Sequence, residues 1–451
     1  MTVMGLGSFG GGIGAAKFLA GQGARVTVTD LKPERDLAAS IQALQGYDIR
    51  FVIGRHEMGD FTGADMVVAS PAVPRESPYL TAARQAGVRL HTEIGLFVER
   101  CPAPVCGVTG SNGKTTTVSM IGAALDHSGV TFHLGGNIGK SLLEDLPRIA
   151  PGDRVVLEIS SFQIEWLDEL GWSPRIAALL NIMPNHLDRH GTLDAYANIK
   201  AKLFDHQRPG DTAVIVTDDP GARAALDRVR GRLVRVGSSL AGDGVTLEAG
   251  WIVRRSGERT ERVFDTALLP VPGAHNIVNA LAAAACALEL GASPEGIASG
   301  LAAFRGVPHR LELVGEIGGV RYFNDSKATT PEAAAVGIAA FPGGVIPILG
   351  GYDKGMGFDG MARAVAGKVR WAAIIGATAP KIRSALADNG VDASVFGSLG
   401  EAFRACADRA APGNVVLLSP GCASYDMFNN YEERGEAFRE LVRKLETGGQ
   451  V

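Results

Sequence analysis

A glycine-rich segment between a strand-like stretch and a helix-like stretch most constrains this chain of 451 residues. Residues 109–117 read Thr-Gly-Ser-Asn-Gly-Lys-Thr-Thr-Thr and directly follow the apolar stretch 104–108. A strand that enters such a turn and continues as a helix directs backbone N–H groups and a helix N-terminus at one point. Lys114 would neutralise outer phosphates, and Thr115 would offer a hydroxyl to Mg²⁺. The first glycine of the common spacing would fall at Val108, but the Gly-Lys-Thr core predicts a nucleoside triphosphate site.

Length, charge and cysteine usage bound the remaining possibilities. The length exceeds what one hydrophobic core usually supports, so two to four domains are expected. A net charge of −4 implies no general affinity for nucleic acid. The five cysteines are odd in number and lack Cys-x-x-Cys spacing, which favours reduced thiols in a cytoplasmic protein. No apolar run reaches the ~18 residues of a membrane span, so no membrane partner is expected.

The first hundred residues alternate short β-like runs with alanine-rich helical stretches, a rhythm that predicts βαβ units and a parallel sheet. Residues 5–10 form a Gly-x-Gly-x-x-Gly turn, and Asp30 ends the next predicted strand. Any nucleotide diphosphate can use such a turn, so the motif alone is weak evidence for a redox cofactor. The first strand, residues 2–4, is very short, which would fit a misassigned start codon or a clipped edge of the sheet. Residues 69–74 are interpreted either as a loop at a ligand crevice or as a simple turn.

Two boundaries divide the chain into three predicted domains. The proline-containing break at 100–104 separates residues 1–100 from a central domain, 101–306, and a third domain follows at 307–451. The fold class is therefore α/β, with Rossmann-like first and third domains around a central, P-loop ATPase-like parallel sheet.

Three polar side chains in the central domain are candidates for chemistry. Glu158 ends an apolar strand, where a carboxylate is costly to bury without a partner such as Mg²⁺. The alternative is that Glu158 caps the following helix. His186 follows another strand, but a lone histidine is more often structural. Lys200, on a predicted helix over 193–204, reads from the pattern alone as a solvated lysine.

Taken together, the motifs resemble those of the Mur ligases, most closely their MurD type, over nearly the whole chain. The residues that carry the resemblance are the phosphate loop and the segments 135–139, 157–163, 185–190, 324–329 and 418–424. Asn-Asp-Ser-Lys-Ala-Thr and Ser-Pro-Gly-Cys-Ala-Ser, in the last two segments, are the most discriminating. Asn185 departs from the family pattern, which often has Asp beside the histidine, and Tyr431 stands where some members have Phe.

The resemblance implies an ATP site, two magnesium ions and a modified lysine. One Mg²⁺ would be held by Thr115 and Glu158, the other by His186 and by Lys200 carrying a CO₂-derived carbamate. A carbamate would supply an anionic oxygen ligand where an ammonium would repel the ion. Lys114, Glu158, His186 and Lys200 would form the catalytic set. The implied ATP-binding residues are Gly110, Ser111, Asn112, Gly113, Lys114, Thr115, Thr116, Asn276, Asn279, Arg310 and Asp325.

The resemblance also implies the other substrates, UDP-N-acetylmuramoyl-L-alanine and D-glutamate, and a monomeric cytoplasmic enzyme. The first domain would bind the UDP moiety, Asn137 would reach the muramoyl peptide, and the third domain would bind glutamate. The implied substrate-binding residues are Gly7, Ser8, Phe9, Gly10, Asp30, Ser70, Asn137, Ser161, His186, Lys327, Thr329, Ser424 and Tyr431.

The reaction implied is ATP-driven amide formation through an acyl phosphate, with domain closure excluding water. Three alternatives differ in class or substrate. A nicotinamide-dependent dehydrogenase would leave the phosphate loop unexplained, and a GTPase switch would require an Asn-Lys-x-Asp signature that is absent from the sequence. A folate ligase would begin directly at the phosphate loop, without a UDP-binding first domain.

Overall fold

The α/β architecture expected from the sequence is present in the computed structural model, which describes residues 1–6, 10–138 and 141–448, without the side chains of residues 187 and 188. The predicted site residues Gly7, Ser8 and Phe9 lie outside the described residues. The chain divides into two compact units, Met1–Ala267 with Val278–Leu301 and Leu268–Ile277 with Ala302–Val451.

The first sheet is parallel, with strand order β3-β2-β1-β4-β5. Its strands are β1 (Thr2–Met4), β2 (Val26–Asp30), β3 (Ile49–Ile53), β4 (Met66–Ala69) and β5 (Arg89–His91). Its helices are α1 (Gly11–Gly21), α2 (Glu34–Gln42), α3 (Met58–Thr62), α4 (Pro78–Gln85) and α5 (Glu93–Val98). The interpretation of β1 as a clipped edge is wrong, because β1 pairs on both sides with β2 and β4. Three residues suffice for a strand whose neighbours supply hydrogen bonds on both edges.

The second sheet is built around the strand that enters the phosphate loop, in the order β14-β13-β12-β11-β10-β9-β6-β8-β7. Its strands are β6 (Val105–Thr109), β7 (Phe132–Gly136), β8 (Arg154–Glu158), β9 (Ile176–Leu179), β10 (Thr212–Val216), β11 (Arg232–Gly237), β12 (Gly244–Glu248), β13 (Trp251–Ser256) and β14 (Arg259–Asp265). Strands β6 to β12 pair in parallel, and β13 and β14 extend the sheet as an antiparallel meander. The helices in this part of the sequence are α6 (Lys114–His127), α7 (Ser161–Glu169), α8 (Leu187–His190), α9 (Leu193–Ala201), α10 (Pro220–Arg223), α11 (Ala274–Glu289) and α12 (Pro294–Ala303).

The third sheet has the order β15-β16-β20-β17-β18-β19, parallel except for the edge strand β15. Its strands are β15 (Glu312–Ile317), β16 (Val320–Asn324), β17 (Val345–Gly350), β18 (Trp371–Ile375), β19 (Asp392–Val395) and β20 (Val415–Leu418). Its helices are α13 (Pro331–Ala339), α14 (Asp359–Val365), α15 (Ala379–Ala387), α16 (Leu399–Arg409) and α17 (Tyr431–Glu446). Two apolar clusters, one on each face, bury this sheet, as expected when helices cover both faces of parallel strands.

Candidate active site

The phosphate loop forms because Gly113 allows the chain after β6 to turn sharply into α6. Gly113 has φ +82° and precedes the first residue of α6, and a Cβ there would lie 2.3 Å from Asn279 Oδ1. A side chain at this position would therefore be strained and would collide. The ammonium of Lys114 donates to the carbonyl oxygens of Gly110 at 2.8 Å and Ser111 at 3.0 Å. The lysine thus folds back over the loop whose N–H groups would receive phosphate.

Two residues beyond β9 brace this loop, and sequence reasoning missed them. Asn112 N donates to Asn181 Oδ1 at 2.9 Å, and Asn181 Nδ2 donates back to Asn112 O at 3.0 Å. The Ser111 hydroxyl donates to Met183 O at 3.0 Å and accepts from Met183 N at 2.8 Å. The available signal was a polar residue, Asn181, two residues beyond an apolar strand that neighbours β6.

Glu158 forms the centre of an oxygen-rich cluster beside the loop. Its side chain is 3% exposed, and its carboxylate accepts from Thr115 Oγ1 at 2.6 Å and from Asn137 Nδ2 at 3.0 Å. Strand β8 pairs with β6 and β7, so three neighbouring carboxyl ends bring these groups together. A hydroxyl and a carboxylate are the oxygen ligands that Mg²⁺ prefers, with substrate phosphates and water completing its shell.

The interpretation of Lys200 as a solvated lysine is wrong. It is 1% exposed, and its Nζ donates to Thr109 Oγ1 at 3.2 Å and lies 4.8 Å from the centroid of the Tyr196 ring. Burial and the positive charge of Lys114 lower the pKa of Lys200 well below its usual value, although the carboxylate of Glu158 opposes the shift. The structure therefore provides, beside the phosphate loop, a buried amine that loses its proton more readily than an exposed lysine does.

His186 has a left-handed backbone, with φ +52°, which is costly for a residue other than glycine and is commonest at functional sites. Its ring lies 5.1 Å from that of Phe162, centroid to centroid. Ser161 Oγ lies 3.1 Å from His190 Nε2. The guanidinium of Arg189 lies 5.3 Å from the Phe162 ring centroid. Helix α8, the residue that precedes it and the first turn of α7 thus hold these side chains as one group.

At the carboxyl edge of the first sheet, three predicted substrate residues end or follow three neighbouring strands. Gly10 precedes α1 with φ +80°. The carboxylate of Asp30 accepts from Leu6 N and Lys32 N, both at 2.9 Å. Ser70 follows β4, and its backbone N donates to Met4 O at 2.9 Å. Gly12, which the sequence did not single out, lets α1 approach the segment after β1 closely, because a Cβ there would lie 2.2 Å from Gly5 O.

Two of the predicted ATP residues, Asn276 and Asp325, are buried in the second unit, which also contains Arg310. Asp325 accepts from Ser419 Oγ at 2.7 Å and from Leu311 N at 3.2 Å, and burial raises its pKa to about 7. The charge of Arg310 opposes this rise. The side chain of Asn276 is buried and donates to Pro272 O at 2.6 Å.

Four predicted glutamate-binding residues follow β16 and β20 or begin α17. The ammonium of Lys327 lies 5.7 Å from the centroid of the Tyr431 ring. The backbone N of Thr329 donates to Lys327 O at 2.9 Å. Ser424 is 2% exposed. The loops that carry these residues are joined by a buried arginine, Arg434, which the sequence did not predict as part of the site.

Among the described residues, no cluster of three or more His, Cys, Asp or Glu side chains has an arrangement that could hold a metal ion. Nor do the helices in these parts of the chain include one long and apolar enough to cross a bilayer.

Comparison with known families matches three consecutive parts of the chain. Residues 1–92 match the Mur ligase MurD-like N-terminal domain, residues 108–287 the Mur ligase middle domain, and residues 309–422 the Mur ligase glutamate ligase domain.

Full-length relatives agree with these matches. The chain is 44% identical, over 98% of its own length and 98% of the relative, to the UDP-N-acetylmuramoylalanine–D-glutamate ligase of Roseiflexus sp. (strain RS-1). It is 41% identical, over 97% and 96%, to the enzyme of the same name from Geobacter metallireducens.

Solved structures show the same fold at low identity. The UDP-N-acetylmuramate–alanine ligase MurC of Thermotoga maritima aligns with a TM-score of 0.61 at 20% identity, covering 99% of both chains. The MurF ligase of Thermotoga maritima in complex with ADP aligns with a TM-score of 0.57 at 18% identity, covering 93% of this chain and 96% of its own. The phosphate loop, the oxygen cluster around Glu158 and these matches lead to one conclusion: this chain belongs to the Mur ligase family, and within it to the UDP-N-acetylmuramoylalanine–D-glutamate ligases.

Proposed function

We propose that this chain joins D-glutamate to the alanyl carboxyl group of UDP-N-acetylmuramoyl-L-alanine at the expense of ATP, releasing ADP and phosphate. The observation that carries the proposal is the near-complete coverage of relatives with this activity in their names, at up to 44% identity. The Thr115–Glu158 contact beside a phosphate loop supports the ATP-dependent part. We further propose that the protein acts as a cytoplasmic monomer in the synthesis of peptidoglycan precursors.

The phosphate loop supports the first step, the transfer of the γ-phosphoryl group to the alanyl carboxylate. The N–H groups at the start of α6 would bind phosphate oxygens at the positive end of the helix dipole. Lys114 would exchange its two carbonyl contacts for phosphate oxygens and so offset the charge that develops in the transition state. The resulting acyl phosphate is attacked by the amine of glutamate, and phosphate leaves as the amide forms.

The donor set around Glu158 fits a magnesium ion, because Thr115 and Glu158 both supply hard oxygen atoms. The ion would offset negative charge on the reacting phosphate and carboxylate. The protein orients the carboxylate beforehand through the amide of Asn137. We propose His186 as a ligand of a second ion.

The buried amine supports the carbamate proposal. A neutral lysine reacts with CO₂ at nitrogen, forms an N–C bond and releases a proton, so a lowered pKa favours the reacting form. The product would be an anionic oxygen ligand. The Thr109 hydroxyl, 3.2 Å from Nζ, would help to fix its position.

The three substrates are assigned to the three proposed domains, 1–100, 101–306 and 307–451. Gly10, Asp30 and Ser70 would bind the UDP moiety, as would residues 7–9. Asn137 and Ser161 would contact the muramoyl peptide. ATP would bind the phosphate loop with Asn276, Asn279, Arg310 and Asp325. The glutamate carboxylates would meet Lys327, Thr329, Ser424 and Tyr431.

The decisive experiment measures phosphate release from ATP with the nucleotide sugar and D-glutamate present, each omitted in turn. Full release requires all three substrates, and replacing D-glutamate with L-glutamate abolishes it. Release that is independent of the nucleotide sugar would overturn the proposal, as would equal turnover with another amino acid.

Lys200→Ala tests the carbamate, with Lys202→Ala as the matched control. Lys202 lies two residues away but is partly exposed and pairs with Asp168. We expect Lys200→Ala to lose activity and to recover part of it with added short-chain carboxylic acids, whereas Lys202→Ala retains activity. A fully active Lys200→Ala variant without added acid would refute the carbamate while leaving the ligase assignment intact.

A further inference from the structure

Helix α8 (Leu187–His190) is a single turn, and His186 immediately precedes it. A helix of four residues has too few backbone hydrogen bonds to be stable alone, so contacts with neighbouring elements must hold it. His186 is exposed and has φ +52°, a strained conformation that persists only where the surrounding structure enforces it. Its carbonyl oxygen accepts from Arg189 N and His190 N, both at 3.0 Å. The position of His186 therefore depends on what holds α8.

His190 attaches α8 to α7. Its side chain is 1% exposed. Its Nε2 lies 3.1 Å from Ser161 Oγ, within hydrogen-bond distance, and its Nδ1 lies 3.9 Å from Glu165 Oε1, one turn further along α7. A polar ring is costly to bury unless its nitrogen atoms have partners such as these. The buried imidazole therefore provides a specific connection between α8 and α7.

The same imidazole also contacts two aromatic rings. It stacks on Phe162 of α7, with the ring centroids 5.4 Å apart and an angle of 25° between the ring planes. It also lies 5.3 Å from the ring centroid of Tyr196, which belongs to α9. Aromatic rings attract each other at centroid separations of about 4.5–7 Å. His190 therefore joins α8 to α9 as well as to α7.

Two functional side chains depend on this attachment. The ring of His186 lies 5.1 Å from that of Phe162, centroid to centroid. Arg189, within α8, donates to Ala72 O at 3.5 Å and to Val73 O at 3.4 Å, in the loop after β4. His186 and the loop after β4 both belong to the proposed nucleotide-sugar site. A displacement of α8 would therefore move two groups of that site at once.

We propose that His190 is a positioning residue for the nucleotide sugar: its imidazole holds α8 against α7 and α9 and thereby keeps His186 and Arg189 in place. The inference rests on the proposed function, because that function supplies the ligand. The effect of His190 on binding passes through α8 rather than through contact with the substrate. Its substitution should therefore weaken binding of the nucleotide sugar without altering binding at the phosphate loop.

Limited digestion of the full-length protein with trypsin tests the attachment, because α8 contains the cleavage site Arg189. Cleavage after this residue requires α8 to open, and its rate follows the population of the open form. His190→Phe keeps an aromatic ring but removes the bond to Ser161, so it should raise the cleavage rate about fivefold, the value of one neutral hydrogen bond. His190→Ala removes the ring contacts as well and should raise the rate by more than about tenfold.

Calorimetry with UDP-N-acetylmuramoyl-L-alanine tests the functional consequence. Affinity for the sugar should fall severalfold in His190→Ala and by less in His190→Phe, because only the closed form of α8 binds it, while affinity for ADP stays unchanged. The matched control is His206→Ala, since His206 also lies beside a carboxylate of α7, 2.9 Å from Asp168, but is partly exposed; it should change neither readout. Unchanged cleavage in His190→Phe, or unchanged sugar affinity in His190→Ala, would overturn the inference alone. An unaltered protein that does not bind the sugar would overturn the proposed function as well.

Discussion

Arg434 provides the sharpest prediction, because it is a buried charge whose hydrogen bonds run to uncharged oxygens. Its guanidinium is 1% exposed and donates to Ser326 Oγ at 3.0 Å, Ser326 O at 2.8 Å, Cys422 O at 3.1 Å and Ala423 O at 3.3 Å. These oxygens belong to the two loops that carry Lys327 and Ser424. Arg434→Met removes the donors and keeps a long apolar stem.

Two opposing contributions set the size of the effect. Burial lowers the pKa of Arg434 to about 10, so the native state disfavours the charged form by roughly 3 kcal/mol, a cost that the methionine does not have. Each charge-assisted hydrogen bond contributes about 1.5–3 kcal/mol, and the three carbonyl oxygens would lose their donor. The hydrogen bonds exceed the desolvation cost. We therefore expect Arg434→Met to lower the free energy of unfolding by about 3–5 kcal/mol.

The assay combines urea unfolding with steady-state kinetics. Because Arg434 joins the loops proposed to bind glutamate, Arg434→Met should raise the KM for D-glutamate more than the KM for ATP. Arg434→Lys, with donors at a single point, should restore only part of both properties. The matched control is Arg443→Met on the same helix, whose exposed side chain pairs with Glu440 and should change stability by less than 1 kcal/mol. Stability and KM values of Arg434→Met within error of Arg443→Met would refute the reasoning.

Further predictions concern the first unit. Burial raises the pKa of Glu93 to about 7. The stability that its protonated form contributes is complete below the ordinary pKa of a glutamate and is lost as the pH rises towards 7. Denaturant titrations between pH 5 and 7 should therefore show the free energy of unfolding falling by about 1.4 kcal/mol per pH unit, and Glu93→Gln should remove this decline. Gly113→Ala would place its Cβ 2.3 Å from Asn279 Oδ1 at φ +82° and should abolish ADP binding in calorimetry while the fold, followed by circular dichroism, is kept. Arg189 donates to two carbonyl oxygens of the loop after β4 at 3.4 and 3.5 Å; Arg189→Met should raise the KM for the nucleotide sugar severalfold and leave the KM for ATP unchanged.

The strands were predictable wherever an apolar run met a turn signal. The run at 415–418 coincides with β20, and the strand before the phosphate loop was placed within one residue. The meander of β12, β13 and β14 was missed, because its strands carry several charged residues on an edge that faces water. A local signal was nevertheless present, since Ala249 and Gly250 form a two-residue turn with φ +47° and +84°, the geometry that joins antiparallel strands.

The residues that brace the site were less accessible to sequence reasoning. Asn181 and Arg434 act through contacts with segments that are 69 and 108 residues away, Asn112 and Ser326 respectively. No local period encodes such pairs, because they depend on which strands become neighbours. The motif residues themselves, such as Thr115 and Glu158, follow adjacent strands and could be placed together from strand order alone.

Lys200 shows that some burial can be predicted from a helix without knowing its partners. Tyr196, Leu203 and Phe204 are at most 1% exposed and lie four residues before and three and four residues after Lys200. These spacings place all four side chains on one face of α9 and its continuation. A lysine in the middle of an apolar stripe cannot keep a full charge without a partner. The apolar stripe around residue 200 thus carried a signal of burial that the interpretation of a solvated lysine overlooked, and the contact with Thr109 directs the amine towards the phosphate loop.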